Sequence, residues 1–106
     1  MSDFMGMMGK MREMQDRMQK MQAELEAAEV IGTAGGGLVS VMLSAKGALK
    51  KISLDASLLK PAEKEILEDL ISAAHADARA KAERALEEKM RELTGGLPLP
   101  PGLKLF

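Results

Sequence analysis

Between Glu29 and Asp55 the apolar residues change from a helical to an alternating period, and this break constrains the fold more than any other feature of the chain. Val39, Val41 and Leu43 alternate with Ser40, Met42 and Ser44. That is the period of a strand with one face turned to a core, and the Val39, Val41, Leu43 face is the one suited to burial. Gly35, Gly36 and Gly37 precede this run and Gly47 follows it. Residues without Cβ accept the positive φ of tight reversals, so the glycines divide the stretch into a strand of about Val30 to Ala34, a second from Val39, and a third near Leu49 to Leu54. The product is a three-stranded antiparallel meander. In the third run Ile52 and Leu54 share a face with Lys50 while Leu49 falls on the other, a mismatch that a bulge near Lys50 and Lys51 removes.

Helical periods flank the meander on both sides. Phe4, Met7, Met11, Met14, Met18, Met21, Leu25 and Ala28 recur at alternating spacings of three and four, a heptad seam that needs a partner helix. A helix over residues 4 to 28 is a rod of roughly 37 Å at 1.5 Å per residue, long enough that part of it projects. Beyond the meander, Asp55 to Leu59 can form a capped turn, and Pro61 with Glu63 and Glu65 marks a helix start. The helix runs to Thr94, where Gly95 and Gly96 stop it. Its apolar stripe narrows from Ile66, Leu67, Leu70 and Ile71 to Ala74, Ala78 and Ala82. Small residues allow close helix approach, so the two helices are expected to run as an antiparallel pair. The segment 95–106 holds most of the prolines and cannot continue the helix. The reading is one α+β domain: helix 1–28, meander 29–55, turn and long helix 56–94, extended tail 95–106.

The core must be built almost without aromatics, because only Phe4 and Phe106 are present. Ten methionines take their place, and those of the first helix are read as flexible core fillers, or as an adaptable binding surface at the helix's far end. No cysteine is available for disulfide or thiolate chemistry, and His75 is the single histidine, so no metal, cofactor or small-molecule substrate is expected. The glycine run is followed by a strand and lacks a Gly-Lys-Ser/Thr sequence, which argues against a phosphate loop. An enzyme is not expected. The chain also lacks an apolar stretch of membrane-spanning length, and a soluble cytoplasmic protein is expected.

A net charge of −1 conceals an uneven distribution. Lys10, Arg12, Arg17 and Lys20 outnumber Glu13 and Asp16, whereas Glu24, Glu26 and Glu29 then follow without a base. On the second helix Lys64 stands against Glu63, Glu65, Glu68, Asp69 and Asp77 before residue 78, whereas beyond it Arg79, Lys81, Arg84, Lys89 and Arg91 stand against Glu83, Glu87, Glu88 and Glu92, a net of only +1. In an antiparallel pair both basic segments fall at the same far end. The plainer explanation is a set of solvated i,i+4 pairs worth about 0.2–0.5 kcal/mol each.

The Lys10-Met11-Arg12-Glu13-Met14 segment, the run Gly32-Thr33-Ala34-Gly35-Gly36-Gly37-Leu38-Val39, Lys46-Gly47, Ile52-Ser53-Leu54-Asp55 and Leu93-Thr94-Gly95-Gly96 stand in one order over nearly the whole chain. This ordered set resembles the YbaB/EbfC family of bacterial nucleoid-associated proteins. The resemblance implies a homodimer with joined sheets and tweezer-like helical arms that binds double-stranded DNA on the nucleoid, serving nucleoid organisation, DNA protection or gene regulation. The nine bases at 10, 12, 17, 20, 79, 81, 84, 89 and 91 are the candidate phosphate contacts. Val39, Val41, Leu43, Ile52 and Leu54 are the candidate core and dimer residues. A second possibility is an adaptor that engages another protein through its Met-rich arms and its tail.

Overall fold

A computed structural model describes residues 2–94; the tail read at 95–106 lies outside them. Helix α1 spans Ser2–Ala27, strands β1, β2 and β3 span Glu29–Ala34, Val39–Ser44 and Leu49–Leu54, and helix α2 spans Lys64–Thr94. Two short 3-10 turns, Ala56–Leu58 and Pro61–Glu63, lead from β3 into α2. The first is capped by Asp55, whose carboxylate accepts from the Ser57 backbone N–H at 3.0 Å.

The sheet has the order β1-β2-β3, antiparallel throughout. Gly35, Gly36 and Gly37 all take positive φ in the turn between β1 and β2, the conformation that the glycine run was expected to supply. Opposite β3 the register steps from Met42↔Lys51 to Leu43↔Leu49, so Lys50 is an extra residue and the bulge falls where the mismatched face required it. The bulge turns Leu49 onto the side of Ile52 and Leu54.

Val39, Val41 and Leu43 are fully buried beneath α2, packed with Leu58, Ala74 and Ala78 and flanked by Val30, Leu67, Leu70 and Ile71. Burial of each such aliphatic side chain contributes about 1.5–3 kcal/mol. Ser44, expected on the mixed face, is buried at the strand end, where its hydroxyl accepts from the Ala48 N–H at 3.1 Å. A smaller core joins the helices: Met21 and Leu25 of α1 meet Met90 of α2, with Met18, Leu86 and Leu93 around them.

Two expectations need correction. Ala74 and Ala78 bring α2 close to the sheet, not to α1; a Cβ at Gly32 of β1 would fall 2.7 Å from the Ala78 Cα. The helix pair is confined to the last turns of each helix. The first half of α1 therefore runs on without α2, and the molecule measures 73 × 25 × 16 Å. Its radius of gyration is 19.4 Å, against about 13 Å for a compact domain of 100 residues.

Candidate nucleic-acid interface

Helical geometry distributes the α1 bases over two flanks. At 100° per residue, Lys10, Arg17 and Lys20 lie within about 80° of one another, whereas Arg12 is displaced from them by about 80–160°. The first three form one line along the rod. Where α2 reaches α1, Arg17 and Lys20 border an open cleft with Met21 and Glu24, closed on the other side by Lys89, Glu92 and Leu93. All four α1 bases are exposed. Arg17 pairs with Glu13 at 3.1 Å, and among the described residues Lys10, Arg12 and Lys20 make no ion pair.

The bases of α2 divide differently. Arg79 pairs with Glu83 at 3.7 Å on an exposed face, and Arg84 is exposed and makes no ion pair within 4.0 Å among the described residues. Arg91 is exposed near the end of α2. Lys81 and Lys89 are partly covered because each holds the fold together. The Lys89 ammonium donates to Glu24 of α1 at 3.0 Å and lies 3.7 Å from Glu92, and the bond to Glu24 raises its pKa above the usual lysine value. Lys81 donates to the Ile31 carbonyl at 2.7 Å and pairs with Asp77 at 3.3 Å. Arg79 and Lys81 therefore stand beside the sheet, not at the far end of the arms where the charge pattern put them.

Asp77 completes a clip that the sequence did not reveal. Its carboxylate accepts from the Thr33 backbone N–H at 3.0 Å, and this bond, followed by that from Lys81, lowers its pKa below the usual carboxylate value. One N–H and one C=O on the outer edge of β1 are thus answered by an acid and a base four residues apart on α2. An Asp–Lys pair at i,i+4 looks like any surface pair, and nothing local ties it to a strand more than forty residues earlier.

Among the described residues nothing covers the opposite edge. Helix α2 packs on β1 and β2 and scarcely reaches β3. Ile52 and Leu54, expected as core or dimer residues, are 42% and 38% exposed in the single chain, and Leu49 beside them is exposed as well. Their apolar face is continuous with that of Val39 and Val41, their register partners Leu54↔Val39 and Ile52↔Val41. Lys50 and Lys51 are exposed on the same strand. Among the described residues no helix is long and apolar enough to cross a membrane, and no cluster of three metal-ligating side chains occurs.

Residues 1–97 match the profile of the YbaB/EbfC DNA-binding family. The chain is 61% identical to a nucleoid-associated protein of Rhizobium meliloti, over 99% of this chain and 98% of that one. It is 58% identical to a nucleoid-associated protein of Agrobacterium fabrum, with the same coverage. The crystal structure of an uncharacterized Helicobacter pylori protein superposes with a TM-score of 0.75, over 84% of this chain and 94% of that one, at 22% identity. That likeness is one of fold.

Proposed function

The chain belongs to the YbaB/EbfC DNA-binding family, and from that premise we propose that it is a nucleoid-associated protein that binds duplex DNA as a homodimer, chiefly through phosphate contacts from its helical arms. The observation that carries the reading is the line of Lys10, Arg17 and Lys20 on one flank of α1, two of them without an ion pair among the described residues. Long side chains spaced along a straight rod suit a repeating row of phosphates. Among the described residues there is no aromatic platform for single-stranded bases, and no short recognition helix is packed to enter a groove. Sequence preference should accordingly be weak, because phosphate contacts position a protein without reading bases.

Arg12, Arg79, Arg84 and Arg91 add to the field around the arms, whereas Lys81 and Lys89 contribute mainly by holding the arm in place. The uncovered β3 face with Ile52 and Leu54 is the surface on which a second copy would dock. The protein would act in the cytoplasm, on the nucleoid.

The test is a salt titration of binding to unrelated duplexes. Engagement of four to six phosphates gives a slope of log affinity on log salt of roughly −3.6 to −5.4. Replacing Lys10→Glu and Lys20→Glu together should weaken binding to every duplex and flatten the slope, with the dimer intact. Lys50→Ala with Lys51→Ala should do less. Unchanged affinity in the Lys10/Lys20 double reversal at low salt would overturn the assignment to the arms.

A further inference from the structure

The heptad stripe of α1 is covered along only part of its length. Met18, Met21 and Leu25 pack against α2, whereas Phe4, Met7, Met11 and Met14 continue the same stripe and are each more than half exposed. A contiguous apolar patch of this kind marks an interaction surface. Three features of the same helix indicate what covers it. The first is the spacing: Phe4 and Met11 stand at the a positions of the heptad and Met7 and Met14 at d, and helices paired antiparallel set a against d. A pivot midway between Met7 and Met11 therefore fills every layer, with Phe4 on Met14 of a second copy and Met7 on its Met11, each contact formed twice by the two-fold symmetry.

The second feature is charge. Antiparallel pairing about this pivot brings the g positions together, so that Asp3 lies beside Arg17 of the second copy, twice by symmetry, and Lys10 beside its own counterpart once, at the axis. Two opposite pairs against one like pair favour association. On the other flank the e positions bring Met8 to Met8. A parallel pair would instead set Asp3, Lys10 and Arg17 beside Met8, Gln15 and Gln22, with no charge matched. Arg17 already holds Glu13 of its own chain at 3.1 Å, and its exposed guanidinium has donors left for a second carboxylate. The third feature is the position of α2. Met18 of the second copy, where its own α2 begins to cover the stripe, falls beyond the start of this α1 at Ser2, so the two open stretches overlap along their full length and neither α2 intrudes.

We propose that the exposed Phe4–Met14 stripe is a self-association surface, taken by the same stripe of a second copy in an antiparallel two-fold pair. The contact is shorter than the three to four heptads of a free-standing coiled coil. Each helix is already formed and anchored in the core through Met21 and Leu25, however, so pairing orders little new chain. Methionine side chains, unbranched and polarizable, fill such layers without strict shape matching. The pairing lies on α1 and needs neither DNA nor the β3 face, so it stands apart from the DNA reading.

The absence of native cysteine allows a test by disulfide trapping, with Met7→Cys and Met11→Cys made in separate full-length chains. Under mild oxidation without DNA the mixture of the two should cross-link, and each alone should scarcely do so, because position 7 meets position 11 and not itself. Asp3→Arg or Arg17→Asp, placed in both chains, should slow the cross-link, and the two replacements together should restore it. No cross-link in the mixture would overturn the proposal and leave the stripe to another protein. Cross-linking of either chain alone as fast as the mixture would overturn it too, as would a charge exchange that fails to restore the rate. Because DNA is absent throughout, any of these failures leaves the DNA reading untouched.

Discussion

Gly32 shows how a single missing methyl group sets the distance between helix and sheet. It sits opposite Val41 on the buried face, and any Cβ there would press into the α2 backbone at Ala74 and Ala78. Backbone cannot rotate away as a side chain can. Gly32→Ala should therefore destabilise the fold at or beyond the top of the roughly 1–3 kcal/mol range of overpacking, and chemical denaturation reads that loss directly. A glycine inside a strand pattern hints at such an approach, but its partner is set by the path of α2. Asp77 makes a second residue-scale prediction. Its folded pKa is lowered, first by the Thr33 N–H and then by Lys81, so its stabilising contribution is present above the unfolded carboxylate pKa and disappears as pH falls through the folded value. The Thr33 amide resonance should titrate with a midpoint below about 3.9, the ordinary value for Asp. A midpoint at or above that value would show that the clip is absent in solution.

Elements were more readable in the sequence than the contacts between them. The alternation of Val39, Val41 and Leu43 placed β2 and its buried face, and the glycines placed the turns, because these are consequences of local period and φ. The bulge at Lys50 followed from the same alternation. What the period could not give was where α2 would cross. Its alanines suited a close neighbour of either kind, and the sheet took Ala74 and Ala78 while Leu86 and Met90 met α1. The same crossing explains why Ile52 and Leu54, read as core or dimer residues, lie beyond the helix, and why Lys81 serves β1 instead of the far end of an arm. The alternation yields a direct test within one strand. Val41→Asp buries an unpaired carboxylate and should cost several kcal/mol, whereas Ser40→Asp on the other face should cost far less. Equal stability of the two variants, measured by urea denaturation, would mean that the buried face is misassigned.

At the scale of the whole molecule the two edges of the sheet are unlike. On β1 the Asp77–Lys81 clip occupies backbone groups that another strand would need, whereas β3 presents an open edge beside the apolar side chains of Leu49, Ile52 and Leu54. Open edges with apolar surface invite pairing, and blocked ones discourage it. A three-stranded sheet with one uncovered strand is also a small base for two helices in a molecule 73 Å long. These features predict that folding and self-association are coupled through the β3 side. The unfolding midpoint should then rise with protein concentration, because association stabilises only the folded chain. Ile52→Asp with Leu54→Asp separates this from a monomeric fold. On a monomer, replacements at such partly exposed positions should have small effects, in keeping with the ±0.5 kcal/mol usual for surface sites. At a dimer interface they bury unpaired carboxylates and should abolish the concentration dependence, lower the midpoint and halve the sedimentation mass. A native chain that sediments as a monomer and unfolds at the same midpoint at every concentration would rule out the dimer, and with it the joining of two pairs of arms on one duplex.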